Sequence, residues 1–223
     1  MTQQPIANSQ QPIAKGQSLT IQIENLGKRF NREWIFRGLS YSFSAGNTYA
    51  ITGANGSGKS TLLQVLWGQM PPSKGTIRYI SGDVEIAPEN IFSRIAIATP
   101  YMDLIDEFTL EEQLQFHFKM KRSRNNMTIP EMIDRMYLTP ARHKYISNFS
   151  SGMRQRVKLA LAFFTEADII FFDEPGTNLD HQAFDWYLQN LHSIPPQCAL
   201  FIASNQPSEY PAHAHKLDIM GYK

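Results

Sequence analysis

The chain has 223 residues, 42 % of them apolar, and a formal net charge of +1, with its Lys and Arg residues spread along the length. That is enough for one sizeable α/β core, and the even charge argues against a nucleic-acid-binding face, so no nucleic acid is expected as a partner. The only cysteine, Cys198, excludes an intrachain disulfide and a cysteine metal cluster, and fits a reducing, cytoplasmic setting.

The opening residues, "MTQQPIANSQQPIAKGQS", are rich in Gln, Pro and Ser and lack the apolar run of a signal peptide, so residues 1–18 are expected to be a disordered tail and residues 19–223 one domain. No run approaches the roughly 18 apolar residues of a spanning helix. "LTIQIENL" alternates apolar and polar side chains as a half-exposed strand does, and "YSFSAGNTYAI" reads as a strand, a tight turn and a second strand.

That second strand runs into "TGANGSGKSTLLQVL", flexible residues followed by a Lys, two hydroxyls and an amphipathic helix. Gly53, Gly56 and Gly58 permit backbone angles closed to other residues, so consecutive N–H groups can turn inward around an anion. The helix beginning near Lys59 adds its positive dipole end. The spacing Gly53-x4-Gly58-Lys59-Ser60 is that of the P-loop, in which Lys59 reaches the β/γ-oxygens of a nucleoside triphosphate and the Ser60 hydroxyl ligates Mg2+.

"MPPSKGTIRYI" breaks that helix at Pro71-Pro72 and restarts a strand at Thr76, and "SRIAIATP" is a compact apolar strand closed by Pro100. From Thr109 the period becomes helical. Thr109 and Glu112 form a capping box, and Leu110, Leu114 and Phe118 share a face. A short helix is expected at Glu131–Tyr137, with Pro130 in its first turn, and a long one from about Ser151 to Thr165. The block at about 102–165 reads as an inserted helical lobe. Strand "DIIFFDEP", helix "DHQAFDWYLQNLH" and strand "CALFIAS" then alternate as a parallel sheet requires.

In "ADIIFFDEPGTNLD" the apolar run ends in Asp173 and Glu174, which places two carboxylates at the carboxyl end of a central strand beside the P-loop. Asp173 is suited to Mg2+, and Glu174 to orienting an attacking water and taking its proton. Upstream, "NFSSGMRQRVKLALA" feeds a polar turn into a basic amphipathic helix, a second anion-binding helix start.

Phe149-Ser150-Ser151-Gly152-Met153 resembles the signature motif of ABC transporter ATPases, whose fullest form is Leu-Ser-Gly-Gly-Gln; the resemblance runs from about Leu19 to Lys223, with the motifs in the family's order. It implies an α/β fold with a RecA-like P-loop core, an antiparallel β subdomain and an inserted helical subdomain. It also implies a head-to-tail homodimer that traps two ATP molecules with Mg2+ and drives an integral membrane permease from the inner face of the membrane. Carried over, Gly53, Asn55, Gly56, Ser57 and Gly58 line the phosphates, while Lys59, Ser60 and Thr61 hold phosphate and metal. Asp173 assists the metal and Glu174 is the base. Ser150 and Gly152 meet the γ-phosphate across the dimer, Asp180 matches the D-loop, and Phe30 in "GKRF" matches the adenine-stacking aromatic, with Trp34 as its rival.

Two positions depart from the family pattern. Tyr101 stands where a metal- and permease-sensing Gln is usual, and a neutral phenol ligates Mg2+ poorly. Asn205 stands where a switch His is usual, and is expected to donate to the γ-phosphate directly or through water and to support a slow ATPase. The surface "YMDLIDEF", Tyr101–Phe108, mixes apolar and acidic side chains and is expected to receive the permease's cytosolic helix. An ATP-binding regulator with little hydrolysis, not coupled to transport, is the alternative reading.

Overall fold

The structure, a computed structural model, describes residues 19–223; the expected tail at residues 1–18 lies outside the described residues. The elements in chain order are β1 (Leu19–Phe30), β2 (Glu33–Phe43), β3 (Thr48–Thr52), α1 (Lys59–Leu66), β4 (Lys74–Ser81), β5 (Val84–Ile86) and β6 (Ile95–Ala98). There follow α2 (Leu110–Met120), α3 (Ile129–Arg135), α4 (Ser151–Phe164), β7 (Ile169–Asp173), α5 (His181–His192), β8 (Ala199–Ala203) and β9 (His215–Asp218).

The alternation in β1 buries Leu19, Ile21 and Ile23 on one face, and this strand takes antiparallel partners on both edges to give a sheet ordered β2-β1-β4-β5. Asn31, at φ 54°, makes the tight turn into β2. The backbone of β1 bulges near Asn25, φ 49°, where β4 begins; Gly75 lies so close to the carbonyls of Glu24 and Asn25 that a Cβ would collide with both.

The second sheet is parallel throughout, with order β6-β7-β8-β3-β9. Both faces of β7 and β8 are covered, so "IIFFD" and "ALFIA" read as continuous apolar runs and every residue in them is buried. Period two then divides the core. Tyr49, Ile51, Ile169, Phe171 and Phe201 turn toward α1 and the antiparallel sheet, whereas Ala50, Ile170, Phe172, Leu200 and Ile202 turn toward the helices α2 to α5. An aromatic ladder joins the two sheets. Phe43 meets Tyr49 at 4.9 Å, Tyr49 stacks on Phe201 at 5.1 Å, and Phe201 stacks on Phe171 at 4.8 Å. Burying each phenyl ring contributes roughly 1.5–3 kcal/mol.

The capping box at Thr109 and Glu112 forms as expected, with Thr109 N donating to Glu112 Oε2 at 2.8 Å. A second box, Thr128 with Glu131, starts α3 at Ile129, two residues before the expected start, because Thr128 accepts from Glu131 N and so nucleates the turn ahead of Pro130. Helix α4 packs its buried face on β6 and β7 and shares one apolar cluster with α2, α3 and α5. Strands β5 and β9 were not expected. β9 closes the parallel sheet at the free edge of β3, where the ring of His215 stacks on Tyr49 at 5.5 Å. Among the described residues no helix is long and apolar enough to cross a membrane.

Candidate phosphate and metal site

Three neighbouring parallel strands, β7, β8 and β3, end at the same edge of the sheet. Ala203 pairs with Asp173 on one side and with Ile51 on the other, so the carboxylates after β7, the turn after β8 and the glycine loop after β3 form one row. Chain segments outside the carboxyl ends of parallel strands are the usual place for a ligand in an open α/β sheet.

The loop after β3 holds Gly53 at φ 139°, Gly56 at φ 74° and Gly58 at φ 102°. Room is short as well. A Cβ at Gly53 would lie 2.8 Å from both Ser57 Oγ and Ile219 Cγ2, and one at Gly58 would collide with Ile35 of β2. Gly58 caps α1 without a side chain, so the first-turn N–H groups have no side-chain acceptor and remain suited to an anion. The ammonium of Lys59, 5 % exposed, donates to Gly53 O at 2.9 Å and Ala54 O at 3.3 Å and curls back over its own loop. Among the described residues the buried Ser57 Oγ has no hydrogen-bond partner. A phosphate group fits these donors.

Asp173 is 1 % exposed, and its Oδ1 also lacks a partner among the described residues. Burial pushes its carboxyl above the usual carboxylate range; the Ser60 hydroxyl bonded to it pulls the other way, the Glu174 charge raises it and the Lys59 charge lowers it. A hydroxyl and a buried carboxylate facing each other, with one carboxylate oxygen unpartnered, are the hard-oxygen donors that Mg2+ takes. The residues present therefore fit the metal. Glu174 follows in the left-handed region, φ 47°, a conformation that costs on the order of 1–3 kcal/mol for a residue with a Cβ. It is held there by Glu174 N donating to Ala203 O at 2.9 Å and by Thr177 N donating to Glu174 O at 3.1 Å.

The turn after β8 reaches the glycine loop directly, because Asn205 Nδ2 donates to Asn55 Oδ1 at 2.9 Å. Ser150 and Gly152 lie elsewhere. Ser150 caps α4 by accepting from Met153 N at 3.2 Å, and a Cβ at Gly152 would lie 2.9 Å from Asn178 O. Gln155 donates to Pro175 O at 3.0 Å, and Asp180 caps α5 by accepting from Ala183 N at 2.7 Å, 3.9 Å from Arg156. The start of α4 is thus tied to the turn that carries Glu174.

Of the two candidate aromatics, Trp34 lies over Gly27, where a Cβ would come within 2.9 Å of Trp34 Cζ3, and its ring sits 5.7 Å from the Arg29 guanidinium. Phe30 is 46 % exposed at the end of β1 with Lys28 above its ring, at 5.4 Å. Tyr101 is 75 % exposed in the loop after β6. The sequence did not point to Ile35 or to the carboxy-terminal turn, yet Ile219 borders Gly53 and Lys223 Nζ donates to Ser57 O at 2.7 Å. The alternation in "HKLDI" is too short to have marked that turn as part of the site.

Comparison with known proteins places this arrangement. Residues 36–177 match the family model described as ABC transporter. The Nod factor export ATP-binding protein I of Burkholderia lata is 29 % identical over 177 residues, covering 78 % of this chain and 58 % of that protein. The chain therefore spans little more than half the length of that relative. The uncharacterized ABC transporter ATP-binding protein YybJ of Bacillus subtilis is 30 % identical over 162 residues, 73 % of this chain and 74 % of its own. A solved ABC transporter ATP-binding protein from Pyrococcus furiosus superimposes with a TM-score of 0.75 at 20 % identity over 91 % of this chain and 98 % of its own, a likeness of fold. With the glycine loop, the Ser-capped α4 and the carboxylate pair in this order on this fold, the chain belongs to the ABC transporter ATP-binding family.

Proposed function

We propose that the chain binds and hydrolyses MgATP as the ATPase subunit of a transporter and drives a separate integral membrane permease. The observation that carries this reading is the row formed by Lys59, the Ser60–Asp173 pair and Glu174 at the ends of adjacent strands. Lys59 would exchange its carbonyl partners Gly53 O and Ala54 O for β/γ-phosphate oxygens. Mg2+ held by Ser60 and Asp173 would supply neutralisation of the phosphate charge. Glu174, which is only partly buried, takes the proton of the attacking water. Asn205, already on Asn55, donates to the γ-phosphate, and the exposed Phe30 ring stacks on adenine. Thr61 supports the phosphates from the first turn of α1.

Ser150 caps α4 and Gly152 lies against Asn178 in the turn behind Glu174, which suits them to act on the second protomer's nucleotide in a head-to-tail homodimer, with Asp180 in the same turn. Residues Tyr101–Phe108 would receive a cytosolic helix of the permease and hold the chain at the inner face of the membrane. Tyr101, 75 % exposed where the family pattern has a metal-sensing Gln, favours the second reading, a regulator that binds ATP and scarcely hydrolyses it.

Phosphate release from purified protein with MgATP separates the two. Glu174→Gln is expected to bind MgATP while losing turnover and to elute as a dimer on gel filtration. A wild-type protein that binds MgATP without releasing phosphate would leave the regulator as the answer. A Glu174→Gln protein that stays monomeric at saturating MgATP contradicts the head-to-tail dimer.

A further inference from the structure

A second buried carboxylate lies behind the proposed base, and nothing in the mechanism above uses it. Glu209 ends the short 3-10 turn Pro207–Glu209 that follows β8 and is 2 % exposed. Its sequence surroundings, "NQPSEY", read as a surface loop, and an acid is seldom buried without a partner. The carboxylate lies directly under Gly176, where a Cβ would collide with Oε1 and lie 3.0 Å from Cδ. It accepts hydrogen bonds from the Ser204 hydroxyl and the Gly176 N–H, while Oε2 has no partner among the described residues.

Each of these contacts belongs to a different arm of the site. Gly176 lies in the turn that begins at Glu174, whose Thr177 N–H closes on Glu174 O. Ser204 precedes Asn205; its N–H donates to Ile51 O at 3.1 Å, two residues before Gly53, and its Oγ accepts from Gln206 N at 2.9 Å. From the other side, the fully buried Tyr187 of α5 donates its hydroxyl to Glu209 O at 2.7 Å. Glu209 N donates to Gln206 O at 3.0 Å and closes the short turn that directly follows Asn205. The Glu209 side chain therefore ties the turn after β7 to the turn after β8, and its backbone carbonyl ties the same turn to α5.

We infer that Glu209 is a positioning residue for nucleotide hydrolysis, fixing the turn that carries Glu174 against the turn that carries Asn205 so that base and phosphate donor keep one spacing. The inference rests on the proposed ATPase reading. Burial raises the carboxyl above its ordinary range, with the Glu174 charge adding to it and the Ser204 and Gly176 bonds opposing, as expected of a group kept in place by local donors. The lack of a Cβ at Gly176 allows the approach; the residue there has no other constraint of backbone sign, since the positive-φ positions of this turn are Glu174 and Asn178. Glu209 touches neither Lys59 nor the Ser60–Asp173 pair, so its loss should spare nucleotide binding.

The test is steady-state phosphate release by the full chain with MgATP, run on wild type, Glu209→Ala, Glu209→Gln, Asn205→Ala and the double variant Glu209→Ala with Asn205→Ala. Glu209→Ala is expected to lower kcat by roughly tenfold or more while KM stays within about twofold, the size expected when hydrogen bonds to a charged group are lost from an arrangement that matters in the transition state. Glu209→Gln, with its carbonyl toward Gly176 and its amide in the place of Oε2, should recover most of that loss. The double variant should fall short of the product of the two single losses, because both act on one spacing. If Glu209→Ala does not fold, the Gln variant and its combination with Asn205→Ala carry the same comparison. A kcat unchanged in Glu209→Ala, an effect confined to KM, or strictly multiplicative losses would overturn the inference. Absence of turnover in the wild type would instead overturn the ATPase reading.

Discussion

Asn205 donates from Nδ2 to Asn55 Oδ1 at 2.9 Å, across 150 residues of sequence, and so places the turn after β8 on the glycine loop after β3. An amide beside a phosphate loop can keep one N–H for its neighbour and offer the other outward, whereas a neutral imidazole can give its single N–H, on a longer stem, to the phosphate itself. Asn205→Ala is expected to slow hydrolysis roughly ten- to a hundredfold, from the loss of one hydrogen bond to a charged group in the transition state. Asn205→His should leave the rate unchanged or raise it. Phosphate release at the wild-type rate in Asn205→Ala would remove this position from the reacting site.

Lys59 has two jobs that one substitution separates from the rest of the loop. Its ammonium holds the carbonyls of Gly53 and Ala54 and stands where a triphosphate would need a positive charge. Lys59→Ala is expected to weaken MgATP binding and abolish turnover, and isothermal titration together with phosphate release checks both. Turnover within about twofold of wild type would contradict the role given to the loop.

The two aromatics of the β1–β2 hairpin should part company. Phe30→Ala is expected to weaken ATP binding by roughly tenfold through loss of a stacking surface, with the melting temperature little changed, because the ring is exposed. Trp34→Ala should do the reverse, lowering the melting temperature as the cover over Gly27 is lost and leaving the affinity close to wild type. Fluorescent-nucleotide titration beside thermal unfolding reads both quantities, and a larger affinity loss in Trp34→Ala would exchange their roles.

The parts of the site that were legible in the sequence are those whose chemistry is local. Gly53 to Ser60 must carry three glycines and a Lys at fixed spacing, and Ile169–Glu174 must change from apolar to acidic where the strand leaves the core. Glu209 and Lys223 carry no such mark, since each is defined by segments far away in the chain, Gly176 in one case and Ser57 in the other. Strand β9 escaped for a similar reason. Leu217 is its only buried residue, and its pairing is set by β3 and not by any alternation of its own. The start of α3 was missed although Thr128 and Glu131 spell a capping box, because Pro130 drew the boundary two residues too late.

The last prediction concerns acid stability and rests on His117. Its Nε2 lies 2.9 Å from Thr165 Oγ1, and the Thr165 hydroxyl already donates to Leu161 O at 2.6 Å. A hydroxyl whose hydrogen is committed must accept, so the ring carries its hydrogen on Nε2. Burial first, and the Lys121 charge second, push the His117 pKa down to about 4 from its ordinary 6.5. The unfolded chain therefore takes up this proton more readily than the folded one. The contribution is fully present above about pH 6.5 and is lost as pH falls toward 4, to a total of about 3 kcal/mol. Lys121, itself pushed down to about 8 by burial, stays charged across that window and does not alter the sign. Carboxylates on the same helix, Glu111 and Glu112, sit below their usual range and also lose stability in acid, but they do so in any variant at position 117. His117→Gln keeps a donor for Thr165 and has nothing to protonate. Urea unfolding at about pH 7 and about pH 4.5 should show the advantage of wild type over His117→Gln shrinking or reversing at the lower pH. A gap between the two proteins that stays constant across this range would mean that His117 takes up its proton as easily in the folded chain as in the unfolded one.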